Sequence, residues 1–133
     1  MALGTYVYAY TPNVPTGATS QNPASYQPGF GDLWVDTIQI VIPPGHRGLT
    51  GIQITNGGTP ILPWGQGTGY LIGDDDKLSY DIGCELDSSL SINAYNTDVF
   101  RHNFYLRFIG LPMNLYNARG GPTVTTIVPV TAS

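Results

Sequence analysis

Apolar and polar residues alternate at a period of two through much of this chain, which predicts extended strands rather than helices. Thr5–Tyr10 reads T-Y-V-Y-A-Y and places Tyr6, Tyr8 and Tyr10 on one face of a strand. Leu33–Ile42 is a long apolar strand, with Trp34, Ile38, Ile40 and Ile42 on one face, Trp34 reading as core, and a mixed face of Leu33, Val35, Thr37, Gln39 and Val41. The P-P-G-H run at Pro43–His46 ends it, because proline removes ladder donors and glycine permits a turn. Leu49–Thr55 resumes the alternation through Ile52 and Ile54 as far as the Asn56-Gly57-Gly58 turn signal, and these two strands are expected to pair. Ile61–Trp64 and Tyr70–Ile72 are short and interrupted, and read as edge strands or bends. Further inward faces follow at Leu78, Tyr80 and Ile82, at Leu90, Ile92 and Ala94, and at Phe104, Leu106 and Phe108. The last two runs give the strongest expectation of an antiparallel pair.

Roughly eight strands with turn signals near every ten residues predict an all-β fold, an antiparallel β-sandwich of jelly-roll type. Thr11–Gly31 holds four prolines, three glycines and almost no aliphatic residue, so it reads as an arm. The expected organisation is an N-terminal strand and arm over 1–32, a sandwich core over 33–110 and a C-terminal tail over 111–133. No repeat or heptad interrupts this.

Composition sharpens the picture. The 133 residues are 41% hydrophobic, enough for one core, but only 11% are charged, against about 25% in an ordinary soluble domain. Lys77 is the sole lysine and Glu85 the sole glutamate, which excludes a mainly helical protein, because exposed helix faces need those residues. With 17 Gly and 11 Pro the chain is rich in turns. The net charge of −4 and five scattered cations, Arg47, Lys77, Arg101, Arg107 and Arg119, argue against nucleic acid and anionic membranes as partners. Cys84 is alone, and no stretch reads as a signal peptide or reaches the roughly 18 apolar residues of a membrane span, so synthesis in a cytoplasm is expected. So low a charge in a free protein invites association, and the chain is expected to work inside an assembly.

Candidate chemistry is sparse. Asp74-Asp75-Asp76 is the one acidic cluster, but neighbours in a turn rarely converge on one cation, and a solvated turn is the simpler reading. His46 and His102 fall short of a zinc site, and a Cys84–His102 nucleophile–base pair lacks a local orienting or oxyanion motif, so structural roles are expected. Carboxylate pairs such as Asp36 with Asp81 are not singled out by spacing. Gly65–Gly69 leads into an apolar strand rather than the helix a phosphate loop requires. No catalytic residue, metal or cofactor is expected. Exposed aromatics could instead bind sugars, with Trp64, Tyr70, Asp74, Asp75 and Asp76 as the candidate set, or be buried at protein interfaces.

Four segments resemble small structural proteins of tailed bacteriophages: V-I-P-P-G-H-R-G-L-T-G-I-Q-I (Val41–Ile54), I-L-P-W-G (Ile61–Gly65), G-D-D (Gly73–Asp75) and A-Y-N-T-D-V-F-R-H-N-F-Y-L-R-F (Ala94–Phe108). The resemblance covers about residues 33–110 and carries no catalytic motif. It implies a virion β-sandwich that binds the major capsid protein or other virion proteins, often as a symmetric homo-oligomer, a trimer being favoured here, with terminal arms reaching to neighbours. The expected function is a non-enzymatic minor capsid or decoration protein, made in the bacterial cytoplasm and located in the virion. The alternatives are a minor tail protein or a carbohydrate-binding module. Tyr6, Tyr8 and Tyr10, the arm around Tyr26 and Phe30, and Tyr116 in the tail are the expected interface residues.

Overall fold

β-branched and aromatic residues at alternate positions set most of the elements in the computed structural model, which describes residues 6–63 and 69–118. In chain order these are β1 (Tyr6–Tyr10), β2 (Asn13–Val14), β3 (Ala24–Tyr26), β4 (Leu33–Ile42), β5 (Thr50–Asn56), β6 (Thr59–Leu62), β7 (Asp76–Leu86), β8 (Leu90–Asn96), β9 (His102–Asn103), β10 (Tyr105–Pro112) and a short helix, α1 (Met113–Ala118). One four-stranded sheet has the order β1-β10-β4-β7, a second has β3-β8-β5-β6, and β2 pairs with β9. All of these pairings are antiparallel, so the described chain is mostly antiparallel β. None of the described helices is long and apolar enough to cross a membrane.

The pairings nest. β1 lies on β10, β2 on β9, β3 on β8, β4 on β7 and β5 on β6, so the chain is one long two-stranded ribbon doubled back at the β5–β6 turn. Gly57 and Gly58 make that turn, both at positive φ, where glycine has no steric cost. Strands adjacent in sequence therefore often lie in different sheets. β4 and β5 do not pair as expected: β4 sits between β10 and β7, and β5 between β8 and β6. The expected pairing of the Leu90 and Phe104 runs is overturned too, because β8 and β10 belong to different sheets.

Ile38, Ile40, Leu106 and Phe108 of the first sheet and Ile52, Ile54, Ile92 and Ala94 of the second are all buried in one cluster. Each large member contributes about 1.5–3 kcal/mol of hydrophobic stabilisation. The expected face of β4 is corrected at Asp36. β10 steps directly from Ile109, opposite Thr37, to Gly110, opposite Val35, leaving Asp36 without a partner there. This bulge reverses the alternation. Leu33 and Val35 consequently join the core, and Trp34 turns out of it to stack on Tyr116, ring centroids 4.3 Å apart.

Residues 11–31 are not a free arm. Val14 is fully buried, β2 and β3 are paired, and the Phe30 ring packs edge-on against Phe108 at 5.6 Å. A few long-range anchors hold a segment whose composition lacks aliphatic residues. At the other end, β10 continues to Pro112 and α1 covers Trp34 with Tyr116. The remainder of the expected tail, 119–133, lies outside the described residues.

Candidate functional site

One end of the molecule gathers the loops 43–49, 72–76 and 97–101. The first is pinned by the Asp74 carboxylate, which accepts hydrogen bonds from the backbone N–H groups of Gly45, at 2.9 Å, and of His46 and Arg47. These bonds, that from Arg47 foremost, hold the Asp74 carboxyl below its usual range. Arg47 sits at φ 53°, and Gly45 and Gly48 on either side are also at positive φ, so the loop curls its amides toward the anion.

Beneath these loops lies a buried polar network. The His46 ring is 1% exposed; its Nε2–H donates to the Asn103 carbonyl at 2.9 Å and its Nδ1 meets Thr50 Oγ1 at 2.6 Å. Burial, reinforced by His102 with its ring centroid 4.3 Å away, keeps the His46 pKa below the ordinary value. His102 donates from Nε2 to Asp98 Oδ2, and the Val99 N–H donates to Asp98 Oδ1. The bond from His102, first, and that from Val99 hold the Asp98 carboxyl down. The Asn96 side chain donates to the carbonyls of Val14 and Phe100, and accepts from the Asp98 N–H. The loop is thus fastened from inside. On its outer side it carries Val99 and Phe100, 78% and 66% exposed.

A second unfinished surface is the edge strand β1. It pairs with β10 on one side, and no described strand pairs with its other edge. Tyr6 and Val7 are exposed, and no residue of β1 is charged. Strand edges left open to water normally carry lysine, proline or a bulge to block pairing with other chains.

The sequence-predicted interface residues divide between surface and interior. Tyr6 stacks on Tyr8 and remains exposed. Tyr8 packs on Phe30 at 5.3 Å and Tyr10 on Tyr26 at 6.2 Å, and the Tyr26 hydroxyl donates to the Asn13 carbonyl. Tyr116 is buried against Trp34. Of the candidate sugar site, Trp64 lies outside the described residues. Tyr70 meets Tyr95 edge-on and donates to the Ser20 carbonyl, Asp76 accepts from the Asp74 N–H, and Asp75 occupies the left-handed region of the same turn. The structure therefore gathers Asp74–Asp76 in a self-bonded turn.

The Cys84–His102 pair does not assemble, and Asp36 and Asp81 each have a hydrogen-bond partner of their own. Cys84 is in register with Val35, and burial raises its thiol pKa. His102 lies beyond the opposite end of β4, about 20 Å away at the strand rise. Asp36 accepts from the Trp34 indole N–H and Asp81 from the Thr37 hydroxyl. Among the described residues no group of three or more His, Cys, Asp or Glu is placed to hold a metal ion. The Val99–Phe100 tip was missed by sequence reasoning; the available signal was an apolar pair between Asp98 and Arg101 in a turn. No protein-family model and no curated protein sequence matches this chain.

Proposed function

We propose that this chain is a non-enzymatic structural protein of a phage virion, a minor capsid or decoration protein that self-associates, with a trimer favoured, and binds the major capsid protein or another virion component. The observation that carries the reading is the uncharged edge of β1, which no described strand pairs, with Tyr6 and Val7 exposed along it. Such an edge is an aggregation hazard in a solitary protein and an asset in one whose copies cover it.

Two further features support the same reading. We read the nested ribbon, whose pairs are shared out among the sheets, as the winding of a jelly-roll sandwich, an architecture used by viral capsid domains and also by lectins. Because fold alone does not select a function, the surfaces have to. The Val99–Phe100 tip supplies a second contact, separate from the β1 edge, as a cement between copies and lattice requires. Its loop is already ordered by Asp98, His102 and Asn96, so docking forfeits little conformational freedom.

The test is immunogold labelling of particles from the virus whose genome encodes the chain. Label on heads is the expected result. Label at the tail moves the protein to the minor tail class, and particles without label overturn the virion assignment.

A further inference from the structure

The outer face of the β1-β10-β4-β7 sheet is hollowed into a groove of about 730 Å³, within the range of sites that take small molecules. Register explains its lining. Arg107, Gln39 and Ser79 stand side by side across β10, β4 and β7, and Tyr105, Val41 and Lys77 form the next row on the same face. The small side chains Ser79 and Val41 leave depth, and the long ones make the walls.

We infer that this groove binds an acidic oligosaccharide. Four lines converge on that class, and none depends on the assembly reading above. First, Arg107 and Lys77 both line the groove and no carboxylate does. The ion pairs among the described residues both belong to Asp98, so neither of these cations is neutralised by one. In a protein of net charge −4, this is a local reversal of sign suited to an anion.

Second, the two cations are separated by two strands and one row, which places their Cα atoms about 12 Å apart. That spacing fits a ligand with anionic groups spread along its length better than a single small anion. Third, Gln39 offers both amide donors and an acceptor between them, Ser79 adds a hydroxyl, and Tyr105 presents a ring 46% exposed. These are the groups that read sugar hydroxyls and cover a sugar's apolar face. Fourth, β10 and β4 are paired on both sides. The backbone of these two central floor strands is not open for strand addition, the main source of affinity for an extended peptide, and only the flanking edges of β1 and β7 are left for it. Two cations are also too few to hold nucleic acid against the net charge.

The experiment is isothermal titration of the full chain with three tetrasaccharides: oligogalacturonate carrying carboxylates, chondroitin sulfate carrying carboxylates and sulfates, and neutral maltotetraose. Saturable binding of at least one acidic probe, with none to maltotetraose, is the expected result. Arg107→Gln and Lys77→Gln should each weaken it about tenfold, as expected for loss of a charge-assisted contact, with unchanged melting temperatures. Tyr105→Ala should weaken it without altering its salt dependence. The inference is overturned if neither acidic probe binds, if maltotetraose binds equally, or if the cation variants bind like the parent. It is also overturned if inorganic sulfate or a poly-glutamate peptide competes at the same concentration as the saccharide. Failure here would leave the β1 edge and the virion reading untouched.

Discussion

His102 Nε2 donates to Asp98 Oδ2 across 2.8 Å, four residues back along the chain, and the Asp98 side chain is almost wholly buried by that contact and by its own loop. The pair closes the loop that holds Val99 and Phe100 in solvent. Arg47 reaches the same carboxylate oxygen at 3.6 Å from the exposed side. The outer partner is worth little because water screens it, so of the two it is the inner bond from His102 that holds the loop, together with the bonds of Asn96 to Phe100 and Asp98.

This network makes the protein acid-sensitive in two stages. Burial first, and then His102, hold the His46 pKa below the ordinary 6.5. The unfolded chain therefore binds a proton that the folded chain refuses, and stability is lost as pH falls below about 6.5. Asp98 has its pKa depressed below 3.8, so its contribution is present above that value and disappears as pH falls through the folded pKa. The urea midpoint should hold between about pH 8 and 7, decline by about pH 5.5 and decline again below about pH 4. An unchanged midpoint from about pH 7.5 to 5 would contradict the environment assigned to His46.

Gly110 stands where β10 crosses the Asp36 bulge, and a Cβ there would overlap the Trp34 carbonyl group and crowd the Val35 Cα. Backbone cannot move aside as a flexible side chain can. Gly110→Ala should cost about 1–3 kcal/mol, as overpacked sites do. Chemical denaturation measures this, and a loss within error of zero would show that the bulge is not held in this form.

The double substitution Val99→Ser and Phe100→Ser removes the apolar tip without touching Asp98, His102 or Asn96. Stability should stay within about 0.5 kcal/mol of the parent, as for ordinary surface changes, while cosedimentation with phage particles is lost. Retained cosedimentation would remove the tip from the contact surface.

Much of the fold was legible because alternation reports which residues face inward. Ile52 and Ile54, Leu90, Ile92 and Ala94, and Phe104, Leu106 and Phe108 all lie in the core as their spacing predicts. Partner choice was not legible, since a strand's period of two is the same whichever neighbour it joins. That is why β4 and β5, consecutive and similarly patterned, were expected together and lie in different sheets. The face of Trp34 was hidden by one unpaired residue, Asp36, which a strict alternation cannot represent. Residues 11–31 were read by composition, but Val14 and Phe30 order them through contacts with residues distant in sequence. The shared face of Tyr6, Tyr8 and Tyr10 suggested a contact surface, but the edge position of their strand was not legible, because it depends on which strands flank β10. The groove was invisible, because its rows form only when three non-consecutive strands align Arg107 with Gln39 and Ser79.

The central claim is that copies of this chain cover one another's β1 edge. It is tested most directly by the absolute mass of the full chain in solution, measured by light scattering over a wide dilution range, beside a Val7→Lys variant. Val7 is exposed on the edge strand, so lysine there leaves the core intact while adding the charge that blocks edge pairing. The prediction is a trimer or larger ring whose mass holds on dilution, and a monomer of unchanged melting temperature for Val7→Lys. A parent that is monomeric at every concentration, or an oligomer indifferent to Val7→Lys, would contradict it.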